Sequence, residues 1–336
     1  MGLVIAVVDV GAGYTKFCKG GSPGIVECGS MPSIVHALRA GDPPDGKPTL
    51  PGNVTVALGR TRIEACPSLV HPGDRELFRH LGPGRVATDD YRALATAALH
   101  MMQVRFVDLL LLSTPVDEAK AAREALGHGF SAGICGGRRR IHVSRVQLIA
   151  QPAAIGYDFI ADDRSNPDRT VLAIVAGYET VDWGGWRGGR PVPEMAGTVR
   201  TGVRSMLDAV APAVARSIRV EGLHQDRLDE ALRSRTALTI GFEQFDLEPY
   251  RPMLDALALA IIRQIAARLK GAPPIQEVVV AGGGATYFID AIRAVFRRSA
   301  LQCLTEPHFA VARGMLHIGK KMMLELAQSA AAPTQA

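Results

Sequence analysis

The chain has 336 residues, 47% of them apolar and 21% charged, and a formal net charge of +5. That length suits two lobes of roughly 100–200 residues each, with enough apolar side chains for a core in both. The positive balance is mild and spread along the chain, so it permits an acidic partner without requiring nucleic acid, and no run approaches the ~18 apolar residues that a membrane span needs. Five cysteines at 18, 28, 66, 135 and 303 form no CxxC pair. They argue against a disulfide framework or a zinc site and fit a reducing cytoplasm. The nine histidines show no metal-ligand spacing, and no basic segment precedes the first apolar run as a signal peptide requires.

The first predicted strand, 3–10, ends in Asp9-Val10-Gly11-Ala12-Gly13-Tyr14-Thr15-Lys16 and turns back into a second, 14–18. Gly11 and Gly13 permit a tight turn that aims successive N–H groups into one concavity suited to phosphate oxygens. Thr15 adds a hydroxyl, Lys16 a positive charge and Asp9 a carboxylate able to hold hydrated Mg²⁺. Taken alone, the same residues also make a plain β-hairpin. Gly20-Gly21-Ser22-Pro23-Gly24 spells a hydrolase elbow, but Pro23 has no N–H for an oxyanion, so a simple turn is expected.

Segments 38–53 and 71–87, rich in Gly, Pro and Asp, read as surface loops around a strand at 54–58. Helices at 89–102 and 116–126 bracket an apolar strand at 107–113. Asp117, the one tempting base for a small-molecule kinase, reads better as a helix cap. Arg138-Arg139-Arg140 reads as a solvated turn ahead of a strand at 141–149, with contact to DNA or an acidic adaptor as the alternative. A helix at 152–160 and a linker at 162–169 close the first half.

The second half opens with strands at 170–176 and 179–183. They repeat the first pattern: an apolar strand, a turn at Gly177, and a return strand bearing Thr180. Trp183 to Arg190 reads as a glycine-rich hairpin with one tryptophan turned inward. Helices follow at 199–219, 226–235 and 252–270. In the last, Leu254, Leu257, Ala258, Ile261, Ile262, Ile265 and Leu269 recur at steps of three and four, with Pro252 in its first turn. A strand at 276–281 leads into Gly282-Gly283-Gly284 and a helix at 286–298, where backbone can approach a flat or anionic ligand; a tight turn alone is the other reading. A helix at 308–328 and a short tail end the chain. Strands alternating with helices indicate an α/β architecture.

Five segments, in this order, resemble the actin superfamily, which also holds sugar kinases and heat-shock chaperone ATPase domains. Val8 to Lys16 resembles its first phosphate motif, and Ala150-Gln151-Pro152-Ala153-Ala154-Ile155-Gly156-Tyr157 the first connecting helix. Gly177 to Trp183 resembles the second phosphate motif, Val278 to Gly284 the adenosine motif, and Pro307 to Gly314 the second connecting helix. Within the superfamily the chain is most similar to bacterial actin-like plasmid-segregation proteins of the ParM type, and among these to the actin-like component of the PRTRC plasmid cassette.

The resemblance implies a two-lobed actin-like fold of duplicated ribonuclease-H-like domains with a nucleotide cleft between them. Residues 1–165, with helix 308–328 packed back on them, would form the first lobe, 166–307 the second, and 329–336 a flexible tail. The implied ligands are ATP or ADP with Mg²⁺. Asp9 would order the metal; Gly11, Ala12, Gly13, Thr15 and Lys16, with Gly177 and Thr180, would take the phosphates; Gly283, Gly284 and Tyr287 would line the adenosine pocket. Gln151 would orient the attacking water, which suffices where catalysis is mostly positioning. Relatives carry Asp-x-Gly at the second phosphate turn, whereas this chain reads Val175-Ala176-Gly177, so hydrolysis is expected to be weak or absent; Glu179 is the alternative acid. The implied partners are further copies of the chain in a filament and a DNA-bound adaptor, with no direct sequence-specific nucleic-acid binding and no membrane. A non-polymerising nucleotide-binding scaffold of the same fold is the main alternative.

Overall fold

The structure is a computed structural model that describes residues 3–20, 26–38, 52–65, 79–126, 130, 134–135, 139–160 and 168–331. The chain divides into two compact units, residues 1–163 with 309–336, and residues 164–308.

Unit 1 begins with strands β1 (Ile5–Val10), β2 (Tyr14–Gly20), β3 (Val26–Pro32), β4 (Val35–Ala37), β5 (Val54–Leu58) and β6 (Thr61–Ala65). Helix α1 (Asp89–Met101), strands β7 (Phe106–Val107) and β8 (Leu109–Thr114), and helix α2 (Ala119–Ala125) follow. Short strands β9 (Ile134–Cys135), β10 (Arg139–Arg140) and β11 (His142–Val143) lead to β12 (Val146–Ala150) and helix α3 (Gln151–Ile155), which continues as a π-type turn over Gly156–Ile160. The principal sheet has the order β12-β8-β1-β2-β3, with β1, β8 and β12 parallel and β1-β2-β3 an antiparallel meander. Every residue of β1 and β8 is buried, as expected for parallel strands covered on both faces. Helix α1 covers one face, its start fixed by the Thr88 hydroxyl, which accepts from the Tyr91 N–H, and by Asp89 and Asp90 in the first turn.

Unit 2 contains β13 (Thr170–Ala176), β14 (Val181–Arg187), β15 (Arg190–Val199), α4 (Val203–Ile218), α5 (Gln225–Ser234), β16 (Leu238–Ile240), β17 (Glu243–Phe245), α6 (Arg251–Arg268), β18 (Glu277–Ala281), α7 (Ala285–Val295) and β19 (Ala300–Cys303). Its sheet has the order β15-β14-β13-β18-β19: an antiparallel meander followed by two parallel strands, the same arrangement as β3-β2-β1-β8-β12. The core joins Leu172, Ile174 and Ala176 of β13 to the inner faces of α4, α6 and α7. Finally α8 (Ala310–Ala331) returns to unit 1 and packs on β1 and α3.

Several expectations need correction. Cys18 and Cys28 form a disulfide, against the reading of the cysteine spacing. Nothing in the local residue pattern announces β3, yet it pairs with β2 so that Cys28 stands directly opposite Cys18, with the Cα atoms 4.1 Å apart. The strand expected at 141–149 is broken into β11 and β12, which pair with different neighbours. The helix expected from 199 begins at Val203, because β15 runs on to Val199. Pro191 and Pro193 hid β15, and prolines are tolerated there because it is an edge strand. Both tryptophans of the β14–β15 hairpin are buried, not one. The loop expected at 71–87 ends in a 3-10 turn, Arg85–Ala87, that buries Arg85 and Val86. Asp117 does not cap α2; it lies exposed in a 3-10 turn ahead of that helix. Residues 21–25, 39–51, 66–78, 136–138 and 161–167, which carry the elbow-like string, most of both proposed loops, part of the arginine run and most of the proposed linker, lie outside the described residues.

Candidate functional site

The β1–β2 hairpin of unit 1 and the β13–β14 hairpin of unit 2 close in the same way. In the first, Asp9 pairs with Lys16 and Val10 with Thr15, and the Gly11 N–H donates to the Tyr14 carbonyl at 3.1 Å. In the second, Val175 pairs with Asp182 and Ala176 with Val181, and the Gly177 N–H donates to the Thr180 carbonyl at 2.8 Å. Both glycines are obligatory: an added Cβ would lie 2.6 Å from the Tyr14 oxygen at Gly11 and 2.8 Å from the Thr180 oxygen at Gly177.

Around the first turn the chain gathers polar side chains from distant segments. Asp9 is 3% exposed. Its Oδ1 accepts from the Ser113 hydroxyl at 2.5 Å and from Gln151 Nε2 at 3.0 Å, and its Oδ2 lies 3.6 Å from Lys16 Nζ. Gln151 and Asp9 are 142 positions apart, and the parallel order β12-β8-β1 brings them together at the C-terminal ends of their strands. The N–H groups of Ala12 and Gly13 have no hydrogen-bond partner among the described residues. Two free N–H donors, a lysine and a buried carboxylate oriented by an amide and a hydroxyl can cradle an anion and a hydrated divalent cation.

Ser33 and Ser113, which sequence reasoning passed over, complete this cluster. The Ser33 hydroxyl donates to the Gly11 carbonyl at 2.6 Å and lies 2.9 Å from Thr15 Oγ1, so the Thr15 hydroxyl is engaged within the unit. Neither serine sits in a motif, and only the sheet order reveals them.

In unit 2 the Thr180 hydroxyl donates to Asp182 Oδ2 at 2.7 Å, and the Thr198 hydroxyl to Oδ1 at 2.6 Å. Asp182 is fully buried, and Val175 is 3% exposed. The triple glycine stands beside this hairpin. Gly282 has φ 95°, and a Cβ there would lie 2.2 Å from the Ala176 carbonyl oxygen; the Gly284 N–H donates to that same oxygen at 2.9 Å. A Cβ at Gly283 would meet open space, so this backbone is accessible. Tyr287 is 8% exposed and belongs to the core, with its hydroxyl donating to Asp229 Oδ1 at 2.8 Å. Burial, reinforced by the Asp229 charge, pushes its phenol well above the usual tyrosine range.

Residues 7–153 match the family profile described as actin like proteins N terminal domain, and residues 174–294 the one described as archaeal actin homologue MreB-like, C-terminal. The chain is an actin-like protein. No curated protein matches it by sequence. Among solved structures, this actin-like chain is similar to the archaeal actin homolog Ta0583 in complex with ADP, with 22% identity, a TM-score of 0.73, and coverage of 95% of this chain and 100% of that one. It is also similar to the 15-stranded ParM filament from Clostridium botulinum, with 17% identity, a TM-score of 0.68, and 96% and 100% coverage. The AlfA filament bound to AMPPNP follows at 14% identity, with a TM-score of 0.63 and 97% and 99% coverage. Among the described residues, no helix of the actin-like chain is long and apolar enough to cross a membrane.

Proposed function

We propose that this actin-like protein binds ATP and ADP with Mg²⁺, assembles into filaments in a nucleotide-dependent way, and serves plasmid segregation or maintenance in the cytoplasm as a ParM-type protein akin to the PRTRC component. The observation that carries this reading is the Asp9 cluster behind the N–H groups of Ala12 and Gly13, which have no partner among the described residues. Gly11, Ala12, Gly13 and Lys16 take the phosphates, and Asp9 holds Mg²⁺ through water. Among the described residues no three His, Cys, Asp or Glu side chains converge, which fits an ion bound mainly by phosphate oxygens and water. Gln151, held by Asp9, orients the attacking water. Gly283 and Gly284 receive the nucleoside. The ADP-bound archaeal homolog and the AMPPNP-bound AlfA filament support both the ligand and the assembly. A DNA-bound adaptor, rather than this chain, would read DNA.

Turnover is slow in this reading, because Val175 is aliphatic and buried, while both oxygens of Asp182 are occupied by threonine hydroxyls. The same feature favours the second reading, a nucleotide-binding scaffold that does not polymerise. The test is right-angle light scattering with parallel phosphate release, in Mg²⁺ with ATP, GTP or a non-hydrolysable analogue. Scattering that rises with ATP and the analogue while phosphate release stays low is the expected result. A flat trace despite nucleotide binding selects the scaffold, and absence of nucleotide binding sinks both readings.

A further inference from the structure

Behind the β1–β2 turn lies a polar arrangement that the proposed nucleotide contacts do not use. Arg85 is 9% exposed, and its Nη2 donates to the Val10 carbonyl at 2.5 Å. Its Nη1 is buried with no hydrogen-bond partner among the described residues. Thr114 is 1% exposed, and its Oγ1 is likewise buried without a partner.

The strand register places these orphans together. Val8 of β1 and Leu112 of β8 are the last pair of their parallel ladder, Ser113 still reaches Asp9 one residue further on, and Val10 and Thr114 are the next residues of the two strands. Leu110 and Leu112 face the α1 side with Val8 and Val10. Thr114 follows at the same two-residue period, so its hydroxyl faces the side from which Arg85 reaches Val10. Two buried polar groups, one a donor only and one able to accept, thus belong to the segments that flank Val10 at the base of the turn. A buried polar atom without a partner is unfavourable and uncommon. Here both occur at the back of a single loop.

We infer that Arg85 and Thr114 are positioning residues for the phosphate turn, whose idle groups find partners only when a nucleoside triphosphate occupies it. This rests on the nucleotide reading above. The hydrogen bond from Arg85 engages the Val10 carbonyl oxygen, a group that would repel a phosphate if left free. A shift of the turn onto the phosphates lets Arg85 Nη1 and Thr114 Oγ1 close on each other, directly or through one water. The linkage is to phosphate number, because it acts through the loop that holds the phosphates and not through the nucleoside.

The test compares wild type, Thr114→Val and Arg85→Lys by calorimetric titration with AMPPNP, ADP and adenosine, and by thermal unfolding without ligand. Thr114→Val removes an idle hydroxyl at nearly constant shape. Its ligand-free melting temperature is therefore expected to hold or rise, while AMPPNP binding weakens about 5- to 10-fold and adenosine binding does not change. Arg85→Lys keeps the charge and one donor and is expected to show a smaller loss with the same dependence on phosphate number. Unchanged AMPPNP affinity in both variants overturns the inference. So does a loss shared equally by AMPPNP, ADP and adenosine together with a lowered melting temperature, the signature of a merely structural role. If wild type binds no nucleotide at all, it is the functional reading that has failed.

Discussion

The hairpins β1–β2 and β13–β14 share one backbone and carry opposite chemistry. Each closes with a glycine N–H on a carbonyl three residues later, and each places two residues in register one step below the pair that flanks the turn. In unit 1 those residues are Asp9 and Lys16, a close charge pair whose acid is held by Ser113 and Gln151. In unit 2 they are Val175 and Asp182, and the acid is locked between Thr180 and Thr198. The turn is a common scaffold, and the register pair below it decides what each hairpin does. That pair supplies an oriented carboxylate in one unit and an internal strut in the other.

The contrast between the hairpins is most severely disturbed at Asp9. Asp9→Asn removes the charge that faces Lys16 and the proposed metal, and Mg²⁺-dependent nucleotide affinity, read by titration, is expected to fall roughly 100-fold. The disulfide is next, since it ties β2 to β3 and, among the described residues, the corresponding β14–β15 pair has none. Closing a loop of that length is worth about 2–3 kcal/mol in the chain-entropy picture, so Cys18→Ser with Cys28→Ser should lower unit 1 stability by that amount in denaturant titration while unit 2 is unaffected.

Asp182→Asn should do the reverse of Asp9→Asn. An amide nitrogen would oppose one threonine hydroxyl, costing about 1–2 kcal/mol of unit 2 stability and leaving nucleotide affinity within about twofold. Val175→Asp would restore an acid where unit 1 has Asp9. Phosphate release is expected to rise about 5- to 10-fold if the missing carboxylate is what limits turnover; an unchanged rate would acquit Val175.

The smallest effect concerns pH. Tyr91 in unit 1 and Tyr287 in unit 2 are both pushed above the usual phenol value of 10.0, chiefly by burial. The unfolded chain releases these protons first. Their contribution to stability is therefore complete below pH 10 and declines as pH rises above it, by at most about 1.4 kcal/mol per pH unit for each tyrosine. Chemical denaturation at pH 9 and 10.5 should show a slope that Tyr91→Phe and Tyr287→Phe each reduce; equal stability at both pH values would refute it.

The parts of this protein that announce themselves in sequence are those where one short segment holds its own reason. Gly11 and Gly177 mark turns because nothing else fits there, and the periodicity of Leu254 to Ile265 follows a single helix face. Gln151 came into view through the motif around it. Ser33, Ser113, Arg85 and Thr114 stayed hidden because their roles exist only after strands far apart in the chain lie side by side. The disulfide was missed for the same reason: it depends on β3, a strand whose Glu, Gly and Ser residues look like a loop.

Helix α8 has a consequence for the order in which the molecule is completed. It belongs to unit 1 but is encoded after unit 2. Its Gly319 lies against Ile5, Leu109 and Leu111, so this helix covers the outer face of β1 and β8. Residues 164–308 are synthesised in full before that cover exists. The second unit is thus the first whose sequence is complete, and unit 1 waits with an apolar sheet face bare until α8 is added. A released chain cut short near residue 308 has one complete half and one open half, and the open half is the part a chaperone would have to hold.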